Sequence, residues 1–214
     1  MLTHKDLIKY CHASYAGDEI AFENELGIKG KTEAYYGDSL HKYIVELNDC
    51  YVIVFRGSVS KFDWINDFTI NAVDFNHSNV HAGFFCALEA ELNPRLSFDK
   101  PVYVTGHSLG GALALLEADR LAECGVDIKE VVVFGNPMVG TLSFKEQYEN
   151  KLLDKTTRYI NGDDLVPHLP PIKYYQVGKC VNIGKKYSWF NPLKYYRMIH
   201  AHHIEQYCSE MEKL

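Results

Sequence analysis

The sequence predicts an α/β protein, a three-layer sandwich with a mostly parallel central sheet, and three observations carry that prediction. Short β-branched and aromatic runs alternate with helical apolar periodicity through the middle of the chain. One such run, Pro101 to Thr105, turns into a helix through Gly106-His107-Ser108-Leu109-Gly110, a reversal whose glycines let strand and helix approach closely. The length of 214 residues suffices for one well-buried domain and is short for two, so residues 1–214 are expected to form a single domain.

In chain order, the first element is a helix from about Thr3 to Tyr15, followed by a turn-rich segment to Gly37. Lys42 to Leu47 and Tyr51 to Phe55 read as strands, and the tight Asn48-Asp49 turn makes them an antiparallel hairpin. A short aromatic helix is expected around Phe62 to Phe68 and another helix from about Gly83 to Leu92. The next strand and helix occupy Val102 to Cys124. Leu109, Ala112, Leu113 and Leu116 recur there at helical spacing, and Gly125 marks the stop. Glu130 to Phe134 is a near-continuous apolar strand ending in Gly135-Asn136-Pro137. A helix from about Leu142 to Leu153, strands at Arg158 to Asn161 and Gln176 to Ile183, and a helix from about Ile204 to Met211 complete the chain. No internal repeat, low-complexity stretch or linker interrupts it.

The chemistry starts at Ser108. A serine hydroxyl is a poor nucleophile until it is held clear of its own backbone and beside a base, and a strand-to-helix elbow does the first. The bland alternative is that Ser108 merely caps the following helix. An acid and a histidine should follow the serine in chain order. The strand ending at Asn161 runs into Gly162-Asp163-Asp164 before Pro167, which puts carboxylates at a strand's carboxyl end, where one can orient an imidazole. An oxyanion hole needs the amide after the nucleophile, here Leu109, and a donor from a separate loop. Gly57-Ser58, just past the strand at Tyr51 to Phe55, supplies a candidate.

For the base, Ile204, Tyr207, Cys208 and Met211 define the buried face of the last helix, so the histidine should lie on the loop ahead of it. His202 fits, with His203 second and His200 third. The same three imidazoles could suggest a metal cluster, but no matching Cys, Asp or Glu spacing accompanies them, so no metal and no other cofactor is expected. His107 is assigned a structural part because neighbours on a sharp turn point apart. His81 is assigned to support of the site or of a helix start, and His168 lies too close to Asp164 along the chain to partner it. Tyr187, Trp189, Phe190, Tyr195 and Tyr196 form either a lipid-facing rim or a packed loop.

Composition excludes several classes. Formal net charge is −6, from 22 basic and 28 acidic side chains scattered through the chain, so there is no basic footprint for nucleic acid. No apolar run reaches membrane-spanning length, which leaves room only for transient contact with a lipid interface. The six cysteines are widely spaced without a Cys-x-x-Cys pair and are expected to be free thiols. No secretory leader is visible at Met1 to Leu7, so a cytoplasmic location is the default expectation, with leaderless export open.

Four stretches together resemble the class 3 lipase family, the fungal triacylglycerol lipase-like α/β-hydrolases. They are Phe55-Arg56-Gly57-Ser58 with Asp63-Trp64-Ile65, then Val80-His81-Ala82-Gly83-Phe84, then Gly106 to Ala112, and finally Phe134 to Gly140 with Asp164 to Pro171. The resemblance runs from about residue 50 to 171 and implies an α/β-hydrolase fold and ester hydrolysis through an acyl-enzyme. Acyl or lipid esters are the implied substrates. It implies Ser108 as nucleophile, Asp164 as acid, Ser58 and Leu109 as oxyanion donors, and a lid that carries Trp64, Ile65 and Phe68. Ala201-His202-His203-Ile204-Glu205-Gln206-Tyr207 resembles members whose histidine lies five residues before a helix tyrosine, which again favours His202. The competing expectation is a non-catalytic binding or signalling module on the same fold.

Overall fold

The computed structural model describes residues 1–28, 31–37, 40–58, 71–90, 97–186 and 194–214. In chain order it contains α1 (His4–Ala13), α2 (Glu19–Leu26), β1 (Thr32–Tyr36), β2 (His41–Glu46), β3 (Tyr51–Phe55), β4 (Ala72–Phe75), β5 (Ser78–His81) and α3 (Ala82–Glu89). β6 (Val102–His107), α4 (Leu109–Glu123), β7 (Ile128–Phe134), α5 (Leu142–Leu152), β8 (Thr156–Asn161), β9 (Lys179–Ile183), α6 (Lys194–Ala201) and α7 (Ile204–Glu212) follow.

Strand order in the main sheet is β1-β2-β3-β6-β7-β8-β9. The pairs from β1 to β3 are antiparallel, and those from β3 through β9 are parallel. The expected three-layer, mostly parallel architecture is therefore present. Alternation along each strand sends its side chains to two cores. Ile44, Ile53, Phe55, Val104, Val131 and Val133 face α3, α4 and α5, while Tyr43, Val45, Val52, Val54, Val132 and Phe134 face α1 and α7.

Helix α1 starts at a capping box. The Thr3 hydroxyl accepts the Asp6 N–H at 3.2 Å, and the Asp6 carboxylate accepts the Thr3 N–H at 2.9 Å. Helix α4 is buried nearly all round and takes two acidic side chains, Glu117 and Asp119, inside with it. Cations reach both: Arg120 contacts Glu117, with Lys42 Nζ 4.0 Å away, and Lys151 Nζ lies 2.7 Å from Asp119. All six cysteines are free. Among the described residues no helix is long and apolar enough to cross a membrane.

The structure departs from the sequence expectation at several elements. The segment read as turn-rich contains α2, which buries only Phe22, and β1, an edge strand with half-exposed side chains. The hairpin β4–β5 was not anticipated; its turn residues Asn76 and His77 both adopt positive φ, at 45° and 66°. Gln176 to Gly178 is not strand, and β9 begins only at Lys179. Lys194 to Ala201, which contains Tyr195 and Tyr196 of the expected aromatic rim or loop, is helix α6. The helix expected around Phe62 to Phe68 lies outside the described residues.

Two glycines fix how closely α4 meets the sheet. A Cβ on Gly106 would lie 2.2 Å from the Gly110 carbonyl oxygen, and one on Gly110 would lie 2.2 Å from the Phe55 carbonyl oxygen. Both obstacles are backbone and cannot turn aside. Gly110→Ala should therefore cost about 3 kcal/mol of folding stability by overpacking. Gly125→Ala, at φ 77° but with nothing within 4 Å, should cost about 1 kcal/mol through backbone strain alone. Urea denaturation of the two variants checks the contrast; equal losses would contradict it.

Candidate active site

β6 passes into α4 at Ser108, which stands at φ 58° and ψ −129°, a strained conformation for a residue with a side chain. Hydrogen bonds on both sides hold it there. The Ser108 N–H donates to the Phe134 carbonyl at 2.9 Å, and the Ser108 carbonyl accepts from Gly111 N–H at 2.9 Å. Its side chain makes no capping bond to the helix. The hydroxyl instead lies 2.8 Å from His202 Nε2.

His202 occupies the short break between α6 and α7 and is 7% exposed. Its Nδ1 is 2.8 Å from Asp164 Oδ2 and 3.0 Å from Oδ1. A carboxylate only accepts, so Nδ1 carries the proton, and Nε2 is left to accept from the Ser108 hydroxyl. Asp164 is fully buried on the turn that follows β8, while Asp163 is half-buried. His203 stands at the N-cap position of α7 without a side-chain bond to the helix, and His200 is exposed, with their rings 6.0 Å apart. The structure thus brings Ser108, His202 and Asp164 into one hydrogen-bonded line.

Two further donors reach Asp164. Val166 N–H donates to Asp164 Oδ1 at 2.9 Å, and the Tyr207 hydroxyl donates to Oδ2 at 2.5 Å. The Tyr207 oxygen itself accepts the Asn161 N–H at 3.1 Å. Gly135, at φ 60°, gives this cluster room: a Cβ there would lie 2.9 Å from both Asp164 Oδ2 and the Tyr207 oxygen. Periodicity marks Tyr207 as a core residue of α7 and misses its hydroxyl. Its signal is the choice of tyrosine over phenylalanine on an otherwise apolar face.

Leu109, half-buried, is the first residue of α4, so its amide has no intrahelical carbonyl to bond. Ser58 is half-buried one residue beyond Gly57, where a Cβ would lie 3.1 Å from Ser108 Cβ. The oxyanion candidates thus flank Ser108 from two different elements. Trp64, Ile65 and Phe68 lie outside the described residues, as do Tyr187, Trp189 and Phe190. His168 is exposed. His81 is the N-cap of α3, with Nδ1 accepting the Gly83 N–H at 3.2 Å, in keeping with support of a helix start. His107, expected to be structural and directed away, has its ring 4.9 Å from that of His202. Among the described residues no group of three or more His, Cys, Asp or Glu is arranged to hold a metal ion.

Burial first, then the Asp164 charge and its hydrogen bond, push the Tyr207 hydroxyl well above the ordinary phenol range. The native state therefore keeps a proton that the unfolded chain releases above about pH 10, and stability falls as pH rises through that point. Below it the contribution is complete. Tyr207→Phe should flatten the alkaline limb of a stability-against-pH curve by up to about 1.4 kcal/mol per pH unit. Denaturant titrations between about pH 9 and 11 check this, and identical slopes for the two proteins would contradict it.

Residues 52–174 match the family model described as Lipase (class 3). The chain is 33% identical over 135 residues to the secreted mono- and diacylglycerol lipase 1 of Fusarium solani, covering 58% of this chain and 40% of that relative. It is 36% identical over 138 residues to a lipase of Rhizomucor miehei, covering 57% of this chain and 38% of the relative. The matched stretches thus span less than half the length of these curated relatives. Among solved structures it is similar to lipase II from Rhizopus niveus, with a TM-score of 0.67 at 25% identity, over 86% of this chain and 77% of that chain.

Proposed function

The chain belongs to the class 3 lipase family, and from that premise we propose that it is a serine ester hydrolase that cleaves acylglycerols or related lipid esters. The observation that carries the reading is the line from Ser108 Oγ to His202 Nε2, 2.8 Å, and from His202 Nδ1 to Asp164 Oδ2, 2.8 Å. A serine bonded to the accepting nitrogen of an oriented imidazole is set up for nucleophilic attack. Similarity to the mono- and diacylglycerol lipase of Fusarium solani supports the choice of acylglycerol.

In this reading Ser108 Oγ attacks the ester carbonyl carbon while His202 Nε2 takes the hydroxyl proton. The carbonyl π-bond electrons pass to the oxygen. The amide of Leu109 and a donor on Ser58 receive that developing oxyanion, whose stabilisation is strongest in the transition state. Asp164 holds the imidazole in its Nδ1–H tautomer and stabilises the imidazolium. His202 then returns the proton to the leaving alcohol as the carbon–oxygen bond breaks, which leaves an acyl ester on Ser108. Water, deprotonated by the same nitrogen, releases the fatty acid and restores the serine.

Fluorophosphonate labelling and turnover on a soluble p-nitrophenyl ester test the assignment together. Ser108→Ala should abolish labelling and lower kcat on the order of a million-fold, and His202→Ala should come close to that. Asp164→Asn should cost on the order of ten-thousand-fold because it favours the wrong tautomer. Asp163→Asn, His200→Ala and His203→Ala should stay within about tenfold of the parent protein. If the folded parent fails to label, the non-catalytic module is the better reading. A larger loss at Asp163 or His203 than at Asp164 or His202 would reassign the acid or the base.

A further inference from the structure

The residue before Ser108 is a second buried histidine, and its hydrogen bonds lead away from the reacting atoms. His107 is 4% exposed, and its Nε2 lies 2.8 Å from the backbone carbonyl oxygen of His202. Its Nδ1 lies 2.8 Å from the Tyr15 hydroxyl. A carbonyl only accepts, so Nε2 carries the ring proton. Burial, helped by the neighbouring His202 and His203 and opposed by the carbonyl bond, holds this imidazole well below its ordinary range. The ring is thus neutral, Nδ1 is an acceptor, and Tyr15 must donate to it. Burial also pushes the Tyr15 hydroxyl upward, which keeps its proton in place, and its oxygen packs against Gly57, where a Cβ would lie 2.2 Å away.

Both bonds in this chain therefore have a defined direction: Tyr15 O–H to His107 Nδ1, and His107 Nε2–H to the His202 carbonyl. Its two ends are informative. Gly57 precedes Ser58 and sits against the elbow, where a Cβ would lie 2.2 Å from the Tyr15 oxygen and 2.7 Å from the His107 carbonyl oxygen. The other end is the backbone of the base. That backbone is otherwise held locally, by His202 N–H to the Ile199 carbonyl at 3.1 Å and by Asn161 Nδ2 to the Ala201 carbonyl at 3.0 Å.

We propose that His107 and Tyr15 are positioning residues, a directed hydrogen-bond pair that packs against the oxyanion loop at Gly57 and holds the base loop by the His202 carbonyl, and so sets both loops relative to Ser108. This rests on the catalytic reading above. A neutral imidazole suits the task, because its ring lies 4.9 Å from that of His202, and a charge there would oppose the imidazolium that forms during turnover. Asp164 orients the base through its side chain; His107 does so through its backbone. Misplacement by a fraction of an ångström is enough to slow a reaction whose groups must meet in line.

Tyr15→Phe, His107→Ala and His107→Gln test the proposal, the last because its amide nitrogen can still reach the His202 carbonyl. In folded protein, Tyr15→Phe and His107→Ala should lower kcat and the fluorophosphonate labelling rate by about tenfold or more, with KM within about twofold. His107→Gln should recover part of the His107→Ala loss. Independently of turnover, nitrogen-15 NMR of the imidazoles should show His107 as the neutral Nε2–H tautomer throughout about pH 5 to 8. Unchanged kcat in folded Tyr15→Phe, an effect on KM alone, or titration of His107 in that range would overturn the chain. So would a loss that vanishes on assaying further below the melting temperature, since that is a stability effect only. A parent protein that fails to label removes the catalytic reading and the chain with it, whereas a labelled parent with unchanged Tyr15→Phe removes the chain alone.

Discussion

The whole site depends on how closely the first turn of α4 is pressed against the ends of β3 and β6. Gly106 meets the Gly110 backbone, Gly110 meets the Phe55 carbonyl, and Gly111 meets Asn136, where a Cβ would lie 2.7 Å from the asparagine Cβ. A helix start wedged among the ends of β3, β6 and β7 leaves the residue just before it no ordinary conformation, and Ser108 takes φ 58°. That strain is over-determined by the surrounding backbone contacts, which is the condition under which it persists. The sheet order then does the rest. With β3, β6, β7 and β8 side by side and parallel, the loops carrying Gly57, Ser108, Gly135 and Asp164 leave the same edge of the sheet, where sites of open α/β folds form.

A buried carboxylate is the costly part of such a site. Removing an ion from water costs several kcal/mol even after relaxation. Each hydrogen bond to a charged group returns about 1.5 to 3 kcal/mol. Asp164 is fully buried and receives three donors, His202 Nδ1–H, Tyr207 O–H and Val166 N–H, so the bonds are of the size needed to offset the burial. Loss of any one tips the balance. Tyr207 is suited to this because its hydroxyl keeps its proton and brings a donor without a second charge.

Legibility in the sequence followed burial. Tyr51 to Phe55 and Val102 to His107 are buried along their whole length, and their apolar runs announced strands; α4 announced itself by an apolar repeat and an elbow. Of the elements that went unread, α2, β1 and α6 bury little, whereas the β4–β5 hairpin buries Phe75, Ser78, Val80 and His81 but depends on a two-residue turn at positive φ; tertiary contacts and turn geometry decide them rather than composition. The site divides in the same way. Ser108 and Asp164 could be read from local context, a tight reversal and a strand end. The choice of His202 over His203 turns on which of two neighbours in a break faces β8, which no periodicity reports. For His107 the expectation that neighbours on a turn diverge was incomplete, because the break before α7 brings His202 back over the elbow.

The segment that matches the family model, residues 52–174, contains neither His202 nor Tyr15. Both come from terminal helical regions, and the fold joins them by packing α1 against α7 on one face of the sheet. Helix α1 is itself fixed at two points. Near its start, His4 lies 2.7 Å from the Tyr159 hydroxyl and 2.6 Å from Glu130, which ties it to β8 and β7. Just past its end, Tyr15 reaches His107 at the elbow. A helix clamped to the strands at one end and to the elbow at the other acts as a strut across the sheet. Hydrogen bonds from that strut reach His107, and through it the His202 backbone, so the first fifteen residues of the chain are tied to the cluster of Ser108, His202 and Asp164.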